Sequence, residues 1–227
     1  MSDFLPDPGL TSRMSELEFA TFHAICPPKP MAKGDYWTHQ GDEVLEMAIV
    51  LSGKLKLVRL DSRLHERILW IAGRGDLLGL GLLRTGAVHT SDVVAMEETV
   101  VCPISREQML EVNQRLPQIG LAIAQVLAER IDALEKEIEA AVLPVDIRLG
   151  RALLLLAQRF GESEKRGWQL INLDLGQIDL AGIIGATRAT TTHALTSLRQ
   201  KGLVEGTRGR YWIRREDLLA WLEDSGG

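Results

Sequence analysis

Residues Leu175 to Gly202, LGQIDLAGIIGATRATTTHALTSLRQKG, constrain this chain more than any other stretch. They read as two short helices around a tight turn. The first carries Leu175, Ile178, Leu180, Ala181, Ile183 and Ile184. Gly185 follows, a residue suited to positive φ or to a close backbone approach. Thr187 is placed as N-cap of a second helix over residues 188–200. On that helix Ala194, Leu195 and Leu198 share one face, and Arg188, Thr191, Thr192, Thr196 and Arg199 lie opposite. The pattern is that of a helix-turn-helix, whose second helix enters the major groove of DNA. An ordinary helical hairpin with a solvated face would show the same polarity. The residues beyond Gly202 decide between the two.

After Gly202, Leu203-Val204 and Tyr211-Trp212-Ile213 flank the Gly-rich basic turn EGTRGR, a hairpin signal. Directly behind a helix-turn-helix, a hairpin reads as a wing. Between Gly185 and Arg215 there are seven Lys or Arg and one acid. A bland surface mixes signs, whereas phosphate neutralisation requires such an excess. The second helix then offers Arg188, Ala189, Thr191, Thr192 and His193 to base edges. Thr187, Thr196, Arg199, Lys201, Arg208 and Arg210 are placed for phosphates.

The net charge of −5 hides an asymmetry: 12 basic and 10 acidic residues lie from Val145 onward, leaving 14 and 21 before it. An acidic front joined to a mildly basic rear implies two jobs, and a local patch can bind DNA despite overall acidity. At 45% hydrophobic the chain can bury a sizeable core. Cys26 and Cys102 stand far apart in sequence and supply neither a disulfide framework nor zinc spacing. The start MSDFLPDPGL has no basic region followed by an apolar run, and Leu153 to Leu156 is too short to span a bilayer. A cytoplasmic protein without membrane attachment is expected.

From the front, Met14 to Cys26 reads as a helix ended by Pro27-Pro28. Runs of β-formers follow at 48–51, 55–58, 68–71, 93–96 and 99–101, separated by Gly, Asp and Ser, which predicts a β sandwich or barrel. From Ser105 the period turns helical. Beyond Pro117, Ile119, Ile123, Val126, Leu127, Ile131, Leu134 and Ile138 recur at three and four residues on one long helix. Such a seam needs a partner, either the chain's own β-domain or a second copy. A second copy is expected, because helix-turn-helix modules act as dimers on two-fold sites. Pro144 marks a hinge, Val145 to Phe160 an apolar helix, Gly161 to Gly167 a polar loop, and Glu216 to Glu223 a last helix.

This order resembles the Crp/Fnr family of bacterial transcription regulators over nearly the whole chain. The carriers are Lys33-Gly34, Gln40-Gly41-Asp42, Ile49 to Gly53, Gly75-Asp76-Leu77-Leu78-Gly79, Leu180-Ala181, Ile184-Gly185, Thr187-Arg188 and Leu198 to Val204. The resemblance implies an α+β chain. Residues 1–116 would be a cyclic-nucleotide-binding-like β jelly roll, 117–143 the dimerisation helix, and 144–227 a winged helix-turn-helix. It also implies a homodimer on a palindromic double-stranded DNA operator, acting with RNA polymerase. Cyclic-AMP-binding members place a glutamate after the Gly75 to Gly79 segment for the ribose, and an Arg-Ser pair further on for the phosphate. Here those positions hold Leu80 and His89-Thr90, and neither Leu nor His replaces a ribose carboxylate or a bidentate guanidinium. The pocket is left with Gly79, Leu80, His89 and Thr90, and any effector would be an unidentified small molecule. No metal or other cofactor is expected, since Cys26 alone cannot hold an iron–sulfur cluster.

The recognition helix departs from the family's Ser-Arg-Glu-Thr-Val pattern. Arg188 remains, able to pair with guanine O6 and N7. Ala189 stands for the glutamate and His193 for the second arginine. Ala and Thr methyls favour thymine methyl groups. Two rivals carry less of the pattern. A cupin-type jelly-roll metalloenzyme needs a His-x-His pair, but after His39 comes Gly41, with Glu43 beyond. A cyclic-nucleotide-binding regulatory protein would have no use for the basic wing.

Overall fold

The computed structural model describes residues 9–60, 66–207 and 209–225. They divide into two compact units, one of residues 9–59 and 68–132 and the other chiefly of 133–225.

The first unit begins with a 3₁₀ turn at Leu10–Arg13 and helix α1 (Glu16–Ile25). Ser15 and Glu18 cap α1 reciprocally, each side chain meeting the other's backbone N–H, which satisfies two orphan donors. Eight strands follow: β1 (Lys29–Met31), β2 (Tyr36–Thr38), β3 (Glu46–Ser52), β4 (Leu55–Leu60), β5 (Glu66–Ala72), β6 (Leu77–Leu78), β7 (Asp92–Ala95) and β8 (Thr99–Ser105). A second 3₁₀ turn, Leu80–Leu83, lies between β6 and β7. Helix α2 (Arg106–Arg115) and the part of helix α3 (Gln118–Ala140) up to Asp132 close the unit's sequence. The strands form two four-stranded sheets, ordered β1-β8-β3-β6 and β2-β7-β4-β5, as a jelly roll requires. The five strand runs read from sequence correspond to β3, β4, β5, β7 and β8. The shorter β1 and β6 lack a run of β-formers, and the three strand-favouring residues of β2, Tyr36 to Thr38, make too short a run to stand out.

Strand β3 shows how the unit is layered. Met47 to Val50 are buried consecutively, so neither face of β3 meets solvent. Met47 and Ile49 point into a core shared with α1, α2 and α3, through Phe22, Val112, Ile119 and Ile123. Ala48 and Val50 point into the core between the sheets, with Leu55, Val93 and Val101. Strand β8 brings Cys102, paired in register with Ile49, to Cys26 at the end of α1, and a disulfide joins them. The expectation that these two cysteines supply no disulfide framework is thereby corrected. Sequence distance says nothing about contacts that a strand crossover creates.

The second unit is held by α4 (Val145–Phe160), whose Leu149, Leu153 and Leu154 are fully buried. Strands β9 (Gly161–Lys165) and β10 (Trp168–Asn172) follow, then helices α5 (Gln177–Ile184) and α6 (Arg188–Gln200). Strands β11 (Val204–Thr207) and β12 (Arg210–Arg214) and helix α7 (Arg215–Asp224) complete it. The sheet order is β11-β12-β10-β9. The stretch from Gly161, expected to be a polar loop, is strand β9. Its residues GESEK lack β-formers, and pairing with β10 imposes the extended form. Gly150 lets α7 close on α4: a Cβ there would stand 3.1–3.4 Å from Trp221, Leu222 and Leu218.

No helix among the described residues is long and apolar enough to cross a membrane.

Candidate nucleic-acid interface

The reading head is built by α5, the turn after it and α6. Gly185 ends α5 with φ 61° in the left-handed region, a conformation that glycine adopts without steric cost. The Ala186 N–H returns to Ala181 O at 3.0 Å, closing the helix end. From α4, the Arg148 guanidinium donates to Ile184 O at 2.6 Å and satisfies another terminal carbonyl. Thr187 then starts α6 as N-cap, its hydroxyl accepting from Thr190 N at 3.2 Å.

Buried Ala194, Leu195 and Leu198 seat α6 on α4 and α5. What remains outside is one face. Arg188, Ala189, Thr190, His193, Thr196 and Gln200 are exposed, and Thr192 is half-buried. The Thr192 hydroxyl lies 2.9 Å from Gln177 Oε1 and 2.8 Å from Arg188 O. It ties the first turn of α6 to the first residue of α5.

Thr191 corrects the sequence reading. It is fully buried, and its hydroxyl donates to Thr187 O at 2.9 Å, so it supports the helix start and meets no base. A threonine that returns its hydroxyl to the preceding turn can sit inside without an unsatisfied group, and sequence polarity cannot show that. Gln177 and Gln200 are polar residues at this site that the sequence reading missed. Nothing in the helical pattern separates them from ordinary surface glutamines.

The phosphate candidates fall into two groups. Thr187, Thr196, Lys201 and Arg210 are exposed. The Lys201 ammonium donates to Ser197 Oγ at 2.7 Å and lies over the Trp221 ring. Arg199 is half-buried and donates to Gly206 O at 2.6 Å, holding β11 of the wing to α6. Arg208 lies outside the described residues.

In the β-domain, Trp37 stands between two of the four effector candidates. A Cβ on Gly79 would fall 2.9 Å from its ring and 2.4 Å from Glu46 O. His89 meets the same ring edge-on at 5.7 Å. His89 is buried, and burial holds its imidazole below the usual histidine range, with Asp42 opposing. Leu80 packs on the helix-side core. Thr90 is exposed, and its carbonyl accepts from Arg59 at 2.7 Å. Among the described residues no group of three His, Cys, Asp or Glu is placed to hold a metal.

Helix α3 also departs from expectation. Of its predicted dimer seam, Ile119, Ile123 and Val126 are buried. Ile119 and Ile123 belong to the β-domain core, and Leu127 packs partly against it. Only Ile131, Leu134 and Ile138 are exposed, at 55%, 45% and 71%. A recurrence of three and four residues marks apolar positions without naming the neighbour that covers them.

Residues 28–115 match the cyclic nucleotide-binding domain family, and residues 147–221 match the Crp-like helix-turn-helix domain family. A cyclic AMP receptor protein of Thermus thermophilus is 30% identical over 80% of this chain and 81% of its own. The chain belongs to the Crp/Fnr family of transcription regulators. A CRP-like cAMP-activated global transcriptional regulator of Mycobacterium tuberculosis is 26% identical over 99% of this chain and 96% of its own. The fold is shared with the c-di-GMP-responsive global regulator CLP of Xanthomonas campestris, at a TM-score of 0.75 and 20% identity. That match covers 88% of this chain and 99% of the other. The chain is thus a DNA-binding transcription regulator of the Crp/Fnr type, and members of this family are not enzymes.

Proposed function

We propose that this regulator acts as a homodimer on a palindromic operator, reading bases through Arg188, Ala189, Thr192 and His193. The observation that supports the reading most is the exposed face of α6, which starts at a satisfied N-cap and runs to Gln200. Arg188 opens it, where side chains reach base edges. Thr187, Thr196, Lys201 and Arg210 border it and neutralise or hydrogen-bond phosphates. Arg199 serves by fixing the wing. With two recognition helices in successive major grooves, half-site centres lie about 10 bp apart. The protein works in the cytoplasm and contacts RNA polymerase at its promoters.

The dimer forms through the part of α3 that its own β-domain leaves uncovered. Leu121, Ile131 and Ile138 are exposed, at 65%, 55% and 71%. With Ala124, Ala128 and Glu135 they follow alternating steps of three and four, the spacing of a coiled-coil seam.

Operator binding proceeds without cyclic AMP held in the family's usual way. Leu80 and His89 replace the ribose and phosphate ligands, and Trp37 occupies the space between Gly79 and His89. Calorimetry with millimolar cyclic AMP is expected to show no binding, and micromolar affinity would overturn this part.

Selection of bound DNA from a random pool tests the whole reading. Arg188→Ala is expected to lose about 1–3 kcal/mol on the best site and to relax preference at one base pair. Retained preference in that variant would remove α6 from the role of reading head.

A further inference from the structure

Cys26 and Cys102 are the chain's two cysteines, and nothing in DNA recognition uses them. Cys26 caps the C-terminal end of α1, and Cys102 lies in β8 opposite Ile49. Their Cα atoms are 5.6 Å apart, inside the disulfide range of roughly 4.4–6.8 Å. Neither has exposed surface, and both sit in the helix-side core beside Ile104, Val112, Ile119 and Ile123. Each sulfur also faces a carbonyl oxygen. Cys26 Sγ is 2.9 Å from Pro103 O, and Cys102 Sγ meets Cys26 O. The Cα separation therefore permits a disulfide, and the site also offers each thiol an acceptor when the pair is reduced.

The segment that ends in Cys26 is tied to α3 by two side-chain contacts. The Glu18 carboxylate accepts from the Gln118 amide at the start of α3, and the Arg13 guanidinium pairs with Glu129 farther along. Gln108 of α2 donates to Ile25 O at 2.9 Å, next to Cys26. A bond between α1 and β8 thus reaches the first half of α3 through a continuous set of contacts.

We propose that Cys26 and Cys102 form a reversible thiol–disulfide couple that sets how firmly α1 holds the first half of α3. Its consequence for operator binding rests on the dimer reading, whereas its structural effect does not. With hydrogen peroxide as oxidant, one thiolate attacks a peroxide oxygen, breaks the O–O bond and leaves a sulfenic acid and one water. The second thiolate attacks that sulfur, forms the S–S bond and expels the hydroxyl as a second water. Two electrons pass from the sulfurs to the peroxide, and both thiol protons end in water. A dithiol reverses the change by exchange through a mixed disulfide. Because both sulfurs are buried, each direction requires the C-terminal end of α1 to lift first.

The test uses the full-length wild-type protein, treated with hydrogen peroxide or with a dithiol. Intact mass and thiol alkylation after unfolding report the bond. Amide hydrogen exchange over α1 and residues 118–129 reports the hold on α3. The oxidised protein should be lighter by two hydrogens and show no alkylatable thiol. Its exchange over those segments should be at least about tenfold slower, and Cys102→Ala should show no response to peroxide. Two free thiols after oxidation would overturn the proposal. So would a disulfide with unchanged exchange, or an equal response in Cys102→Ala. The wild-type comparison stands even where the variant does not fold. No readout involves DNA or a second copy, so failure here leaves the operator reading standing, and failure there leaves this couple standing.

Discussion

Helices α3 and α6 are both amphipathic, and each keeps a face that its own unit does not cover. On α6 the apolar positions Ala194, Leu195 and Leu198 are buried and the remaining face is polar. On α3 Ile119, Ile123 and Val126 are buried and the remaining stripe is apolar. The leftover chemistry separates the partners. A polar face in a basic setting fits base edges and phosphates, while a narrow apolar stripe at coiled-coil spacing fits its own two-fold mate.

The largest effect expected from breaking that contrast comes from the stripe. Ile131→Asp combined with Ile138→Asp should leave both units folded but uncouple the two reading heads. Loss of bivalent engagement should cut operator affinity by about 10²–10⁴-fold, measured by gel shift at fixed salt. Unchanged affinity would mean that one head suffices.

The buried half of the same helix should fail differently. Ile123 is 5% exposed in the β-domain core, so Ile123→Ala should lower unfolding stability by about 2–5 kcal/mol in denaturant titration. A cost near zero, with dimerisation lost instead, would place Ile123 in the seam after all.

On α6 the start of the helix provides a finer test. Thr187→Ala removes the side chain that accepts from Thr190 N and should cost about 1 kcal/mol of stability. Because Thr187 also borders the phosphates, its operator affinity should fall somewhat, with base preference kept. A changed base preference would make Thr187 a reader.

The smallest effect concerns His89. Its folded-state titration lies below the ordinary value of 6.5 because burial disfavours the charged ring. Above that value both states are neutral and the contribution is complete. As pH falls through it, the unfolded chain takes up the proton first, so stability declines toward acid until the folded ring also titrates. His89→Gln should flatten the slope of stability between about pH 7 and pH 5.5. An identical slope in the variant would assign it to other groups.

Much of this was legible in the sequence because local chemistry decides it. Gly185, Thr187 and the spacing of Ala194, Leu195 and Leu198 defined the helix-turn-helix, and the Gly-rich basic turn defined the wing. The features that were not legible depend on contacts across the fold. Thr191 looked like a reader because its own hydrogen bond to the preceding turn is invisible in a residue pattern. Ile119, Ile123 and Ile131 looked like one seam because a recurrence of three and four residues runs through both sides of a helix that has two neighbours. Strand β9 has no sequence signal, since pairing with β10 alone makes it extended. Trp37 became visible beside Gly79 and His89 only when β2, the second 3₁₀ turn and the loop before β7 came together. The meeting of Cys26 with Cys102 likewise needed the register of β1 against β8, where Lys29 pairs with Val101.

Sedimentation equilibrium tests the central claim most directly, that the face each helix leaves uncovered names its partner. The wild-type chain should sediment as a dimer, and the protein carrying Ile131→Asp and Ile138→Asp as a folded monomer with unchanged helical circular dichroism. A wild-type monomer, or a doubly substituted protein that remains a dimer, would contradict the account.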